Sequence, residues 1–199
     1  AMDRIVRRLL GAEPSSPYTM RVYVVDRPIL NAVAAPGGYV VIFRGLLERT
    51  RTPEELAGVM AHELQHVLLR HTTRAVIQDA GTGLLLMALT GDVTGPLAYG
   101  LQAARVLGEL RYSRGAEEEA DREGLRMLLA ARVDPAGLIA FFETVRKEEG
   151  SRPEALSYLS SHPMSADRIA RLTALAAAHR GTVEPVLPDT DWPALVKRC

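Results

Sequence analysis

Apolar and polar positions along the chain follow two different periods. Between Met20 and Phe43 the apolar residues come in short runs rich in β-branched side chains: Met20 to Asp26 (MRVYVVD), Ile29 to Ala35, and Tyr39 to Phe43. Runs of this length and composition predict strands. Pro36-Gly37-Gly38 separates the last two runs, and Gly after a fixed Pro supplies turn chemistry. From residue 52 the spacing becomes helical. Thr52-Pro53-Glu54-Glu55 is a capping box with Pro at the first helical position, which predicts a helix from there to about Gln78. A long helix is expected over about Leu97 to Arg132, with a break near Gly115. Asp134-Pro135 opens another helix that runs to about Glu149, Gly150 to Pro153 is a break, and a last long helix covers Ser165 to His179. Asp3 to Leu10 is a short basic amphipathic helix, followed by the linker Pro14 to Pro17. Asp79 to Pro96 carries four glycines around an apolar patch and reads as a helical hairpin or flap. These elements predict a mainly helical α+β fold with a small three-stranded sheet. The expected organisation is an N-terminal helix and linker (1–17), a main domain (18–180) and a Pro-rich tail without predicted elements (181–199).

Composition narrows the class. With 199 residues, 47% apolar and 24% charged, the chain is globular and long enough to bury a core without disulfides or metals. Basic and acidic residues number 24 each, so no global basic field favours nucleic acid. The one cysteine is the terminal Cys199, which leaves no disulfide framework and no prenylation box. Any metal site must therefore use His and carboxylates. The longest apolar stretch, Gly83 to Leu89, is far shorter than the ~20 residues that cross a bilayer. No signal peptide is visible. The opening Ala1-Met2 reads as a cloning remnant, which leaves room for a targeting segment or anchor upstream.

Three of the five histidines lie within ten residues of one another, and two of them form His62-Glu63-Leu64-Gln65-His66. Four residues make ~1.1 helical turns, so His62 and His66 project from one face and can share a metal ion. Glu63 is rotated ~100° from His62 and flanks the metal, where it can take a proton from water. Val59, Met60, Leu64, Val67 and Leu68 make this helix broadly apolar, and buried charges need partners. The spacing that places Gly three and His six residues after the second histidine is absent, because those positions hold Leu69 and Thr72. On one continuous helix His71 lies nearly opposite His62, so it is expected to stay out of the site. No role is assigned to His179.

Downstream, Glu117 and Asp121 share a helix face at i, i+4. One can bind the metal while the other accepts the distal N–H of a ligand histidine and so fixes its tautomer. His162, in Ser161-His162-Pro163, stands at a helix entrance with Arg168 further along. This His and Arg can stabilise an oxyanion, or His162 can bind the metal in a resting state.

Four segments in this order resemble the gluzincin peptidases related to the CAAX prenyl proteases and HtpX-like quality-control proteases. They are Asn31 to Leu47 (NAVAAPGGYVVIFRGLL), His62 to His71 (HELQHVLLRH), Ser113 to Asp121 (SRGAEEEAD) and Ser161 to Ile169 (SHPMSADRI). The resemblance covers about residues 18 to 178. It implies one Zn²⁺ per chain held by His62, His66 and Glu117, with Glu63 as general base and later proton donor, and Asp121 as partner of a ligand histidine. It places His162 and Arg168 in the site as transition-state stabilisers or as a self-inhibitory lock. It implies that extended polypeptide substrates add to the edge of the Asn31 to Ile42 hairpin, with Asn31, Ala32, Val33, Ala34, Gly37 and Gly38 as contacts; an exposed edge offers unpaired backbone groups for this. Polar and glycine interruptions between Asp79 and Pro96 fit the soluble or peripheral branch and speak against an isoprenylated substrate. The implied activity is zinc-dependent endoproteolysis of unfolded or misassembled proteins in a bacterial cell envelope, periplasmic or membrane-associated, with peripheral membrane contact at the apolar flap. The alternative is a latent or non-catalytic, chaperone-like binder of extended segments.

Overall fold

A helix buried on all sides organises the molecule. In the computed structural model, which describes residues 1–13, 16–78, 112–149 and 153–198, α1 (Met2–Gly11) precedes a sheet of β1 (Arg21–Val25), β2 (Ala32–Ala35) and β3 (Tyr39–Phe43). The short α2 (Arg44–Leu47) leads into α3 (Pro53–Leu68). Beyond it come α4 (Arg114–Ala130), α5 (Ala136–Glu148), α6 (Pro153–Ser161), α7 (Ala166–Ala178) and α8 (Trp192–Val196). The expected mainly helical α+β architecture is therefore present. Thr52 caps α3 as its sequence predicts, accepting from the Glu55 N–H at 3.2 Å, while the Glu55 carboxylate accepts from the Arg51 N–H at 2.7 Å. Every residue of α3 from Glu55 to Val67 is buried.

Strand order is β1-β3-β2, with β1 parallel and β2 antiparallel to β3. Among the described residues β2 is thus an edge strand. The Phe43 N–H donates to the Asn31 carbonyl, so Asn31, Val33 and Ala35 bond to β3. The backbone groups of Ala32 and Ala34 then face away from the sheet. Gly37 and Gly38, at φ 87° and 93°, close the β2–β3 turn, where a side chain on Gly38 would meet the Thr19 carbonyl.

Around α3 pack α4, α5, β2 and α1. Leu56, Met60 and Leu64 meet Ile5, Leu9, Ile42, Leu128, Phe141 and Phe142 in one core. Glycines set the helix spacing, among them Gly58, Gly124 and Gly137. A Cβ on Gly58 would lie 2.6–2.8 Å from Leu138, and one on Gly124 would lie 3.3 Å from the His62 backbone nitrogen. Their absence lets α5 and α4 approach α3 closely at the level of the histidines.

Three expectations change. The helix from residue 53 does not run unbroken to 78: α3 ends at Leu68, Arg70 takes a left-handed φ of 59°, and a separate helical run covers 71–78. A helix over 153–161, unmarked in the sequence reading, presents His162 directly after its last residue. After Gly181 the chain packs on the core, with Val186, Leu187 and Trp192 buried and the Trp192 Nε1–H donating to the Thr50 carbonyl at 3.1 Å. The expected flap at Asp79 to Pro96 and the helix expected over 97–111 lie outside the described residues. Among the described residues no helix is long and apolar enough to cross a membrane.

Candidate metal centre

Helix α3 delivers the first three functional side chains. His62 and His66 leave one face of it, as their spacing requires, and both are fully buried. Their Nε2 atoms lie 3.1 Å apart. Helix α4 crosses alongside, with Ser113 capping it, and places the buried Glu117 carboxylate with Oε1 3.2 Å from His66 Nε2 and Oε2 3.6 Å from His62 Nε2. The turn after α6 adds His162. Its Nδ1 is 3.3 Å from His62 Nε2 and 3.1 Å from Glu117 Oε1. Four donors, one each from His62, His66, Glu117 and His162, thus lie within 4.8 Å of one another.

The donor set fits a divalent metal. Four ligands about 2.0–2.1 Å from a tetrahedral ion are about 3.3 Å apart. The separations of 3.1, 3.3, 3.2 and 3.1 Å along four sides of this cluster are near that spacing, and no two of the donors are more than 4.8 Å apart. Three imidazole nitrogens and a carboxylate oxygen converging in a fully buried space satisfy one another poorly without a cation among them. His62, His66 and Glu117 are the residues that would hold it, with His162 in the fourth place.

The atoms behind the donors fix their orientation. His62 turns Nδ1 toward Asp121, 3.1 Å from Oδ1, although the N–H does not point squarely at the oxygen. Arg168 donates from Nε and Nη2 to the two Asp121 oxygens at 2.7 and 2.8 Å. Its Nη1 donates to the Pro163 carbonyl at 2.6 Å and lies 2.7 Å from Glu117 Oε2. Arg168 is only 4% exposed. Its guanidinium is committed to these carboxylates and the carbonyl in this conformation, the arrangement of a clamp. Glu63 is buried beside the donors; among the described residues neither carboxylate oxygen has a hydrogen-bond partner, and Oε1 is 3.3 Å from His162 Nε2.

Charge follows from these contacts. Burial opposes the imidazolium of His62, but Asp121 and Glu117 outweigh it and push its pKa up to about 10 in the metal-free chain. Burial holds His66 well below the ordinary histidine range, against the pull of Glu117. Burial would raise Glu117, yet His162, His62 and His66 hold it well below the carboxylate range. Asp121 is also lowered, because His62 and Arg168 overcome its burial.

His71 requires a correction. The expectation that it stays out of the site assumed an unbroken helix. The left-handed turn at Arg70 folds it back, so that it is buried with Nδ1 3.1 Å from His66 Nδ1 and Nε2 3.2 Å from Glu119 Oε2. Three more residues escaped the sequence reading. Tyr112 stacks on His66 with ring centroids 3.7 Å apart, and its hydroxyl lies 2.9 Å from Thr72 Oγ1. Thr72 donates to the Ala34 carbonyl at 3.0 Å. Tyr158 stacks against His162 at 4.8 Å. No local motif announces them, although His71 and Thr72 directly follow the motif helix. At the edge strand, Asn31 Oδ1 accepts from the Ala32 N–H at 2.8 Å and from Ser161 Oγ at 3.4 Å, tying β2 to the turn that carries His162. Val33 is half-buried on that strand, and Gly37 and Gly38 sit at the hairpin tip.

The sequence profile of peptidase family M48 matches residues 1–176. The chain belongs to peptidase family M48. Among its relatives, the mitochondrial metalloendopeptidase OMA1 of Schizosaccharomyces pombe is 31% identical over 173 residues, 86% of this chain and 51% of the relative. The mitochondrial metalloendopeptidase OMA1 of Arabidopsis thaliana is 34% identical over 148 residues, 74% of this chain and 30% of the relative. The beta-barrel assembly-enhancing protease of Escherichia coli strain K12 is 29% identical over 175 residues, 82% of this chain and 36% of the relative. The chain thus spans about half or less of the length of these M48 relatives, and it contains the region that carries the four convergent donors.

Proposed function

We propose that this M48 chain is a zinc-dependent endopeptidase with one Zn²⁺ per chain held by His62, His66 and Glu117. The observation that carries the reading is the buried convergence of the two motif imidazoles with the Glu117 carboxylate, with Glu63 beside them. The metal would supply Lewis acidity toward a water and a peptide carbonyl. Glu63 takes the proton of the attacking water at a carboxylate oxygen and returns it to the leaving amine. Asp121 and Arg168 hold His62 and Glu117 in place. His162, with one nitrogen among the donors and the other beside Glu63, closes the site in this conformation. Once displaced, it stands within reach of a developing oxyanion.

Substrate enters as an extended segment along β2, pairing with the outward backbone groups of Ala32 and Ala34. For this, the Thr72 hydroxyl must leave the Ala34 carbonyl and the Asn31 side-chain oxygen must release the Ala32 N–H. The expected substrates are unfolded or misassembled proteins of a bacterial envelope. One M48 relative is named for β-barrel assembly, and closed β-barrels are an outer-membrane architecture. The test is cleavage of an unfolded protein such as reduced, carboxymethylated lactalbumin by the zinc-loaded chain. Cleavage is expected, with a drop of about 10²–10⁴-fold in Glu63→Gln. Undiminished cleavage by Glu63→Gln would falsify the mechanism. Binding of the unfolded protein with no cleavage by any variant would favour the chaperone-like reading.

A further inference from the structure

The two motif histidines have different outer partners. His62 turns its outer nitrogen toward a carboxylate, Asp121. His66 turns its outer nitrogen toward a second imidazole, His71, and only that imidazole reaches a carboxylate, Glu119. Both members of the His66–His71 pair are buried, so water does not substitute readily for either.

The proton positions follow by elimination. His66 Nε2 lies among the four converging donors and must present a lone pair there to bind a cation, so its proton is on Nδ1. That N–H then donates to His71 Nδ1, which must be the acceptor nitrogen. His71 in turn carries its proton on Nε2 and donates to Glu119 Oε2. Only this assignment makes both contacts hydrogen bonds while leaving His66 Nε2 free. Two features hold the chain in line. The left-handed Arg70 reverses the backbone so that His71 faces back onto α3. Tyr112 stacks flat on His66 and restricts rotation of its ring. The acidic run on α4 is accordingly divided: Glu117 enters the donor cluster, Glu118 pairs with Arg171 on the surface, and Glu119 reaches His71.

We propose that His71 and Glu119 are positioning residues for His66, forming a Glu119–His71–His66 hydrogen-bonded chain that fixes the His66 tautomer and keeps Nε2 aimed at the metal. The inference rests on the metal-site reading above. Neither residue touches substrate in this account; both act through His66. Losing an outer partner of a ligand histidine typically costs 10–100-fold in metal affinity.

The test uses the full chain, with Zn²⁺ affinity measured by competition against a chromophoric chelator. His71→Phe keeps a ring but no acceptor, and a 10–100-fold weaker affinity is expected, with one Zn²⁺ still bound at saturation. His71→Asn places an amide oxygen close to where Nδ1 stood and should recover most of the loss. A second readout is independent of affinity: ¹⁵N NMR of the zinc-loaded chain should show a coupling across the hydrogen bond between His66 Nδ1 and His71 Nδ1. Parental affinity in a folded His71→Phe, or absence of that coupling, overturns the proposal. If His71→Phe does not fold, Glu119→Ala carries the same test. Glu119 is 40% exposed, so its removal leaves the core intact. Weaker zinc binding is expected, and unchanged affinity overturns the chain. A parent that binds no zinc overturns the metal-site reading itself, whereas zinc binding that is indifferent to these substitutions overturns only this inference.

Discussion

At the residue scale, His162 has the most consequential geometry. One of its nitrogens stands among the four converging donors and the other faces Glu63, the proposed base. A residue so placed excludes both a water nucleophile and a substrate carbonyl until it moves. Competence is then the population of the displaced form. If the closed form is favoured by ~1.4 kcal/mol, about one chain in ten is competent. His162→Ala should accordingly raise the rate of cleavage of an unfolded protein by about tenfold under such a bias. A fall of 10²–10³-fold would assign the side chain to oxyanion stabilisation instead. Arg168 belongs to the same scale. Its commitment to Asp121 and Glu117 makes it the clamp that joins two helices to the site.

At the element scale, the site depends on how closely α4 and α5 approach α3. Gly58 and Gly124 permit that approach. A methyl on Gly58 would lie 2.6–2.8 Å from Leu138 side-chain and backbone atoms, which do not yield as a flexible side-chain tip would. Gly58→Ala should therefore destabilise the fold by about 1–3 kcal/mol through overpacking. Thermal melting would show this as a fall of several degrees. Zinc affinity should fall with it, because α3 carries His62 and His66. An unchanged melting temperature with full zinc binding would mean that the helices separate at no cost. The left-handed turn at Arg70 is the other element-level device, since without it His71 would continue along α3 on the wrong side.

At the scale of the whole molecule, proton and metal compete for one buried space. In the metal-free chain His62 has a pKa near 10, against 6.5 in the unfolded chain. A folded-state value above the unfolded one contributes stability that is fully present below pH 6.5 and lost as pH rises toward 10. The melting temperature of the metal-free chain should therefore decline across that interval. In the zinc-loaded chain the metal has already displaced this proton, so the decline should be much smaller, and loading near neutral pH should release a proton. Calorimetric melting from pH 6 to 10 with and without zinc, and zinc titration in two buffers of different ionisation enthalpy, check both. Equal pH slopes for the two forms would show that His62 is not the proton's site. Asp121 acts with the opposite sign: its lowered pKa adds stability that is lost as the solution becomes acidic.

Local pattern alone determined much of this protein. The Thr52 capping box, the i, i+4 pair of His62 and His66, and the Glu117–Asp121 face all depend on contacts within one helix, so they were legible in the sequence. The three strands and the glycine turn follow from local period and φ preference in the same way. Only the tertiary structure decided the partners. That His162 enters the donor cluster, that Arg168 is spent on carboxylates, and that Tyr112 stacks on His66 are facts about segments tens of residues apart. Their pairing is set by helix packing distances, which no local spacing encodes. His71 shows the boundary most clearly. Its spacing from His62 places it outside the site on an ideal helix. A single left-handed residue, Arg70, with no glycine to mark it, brings it in.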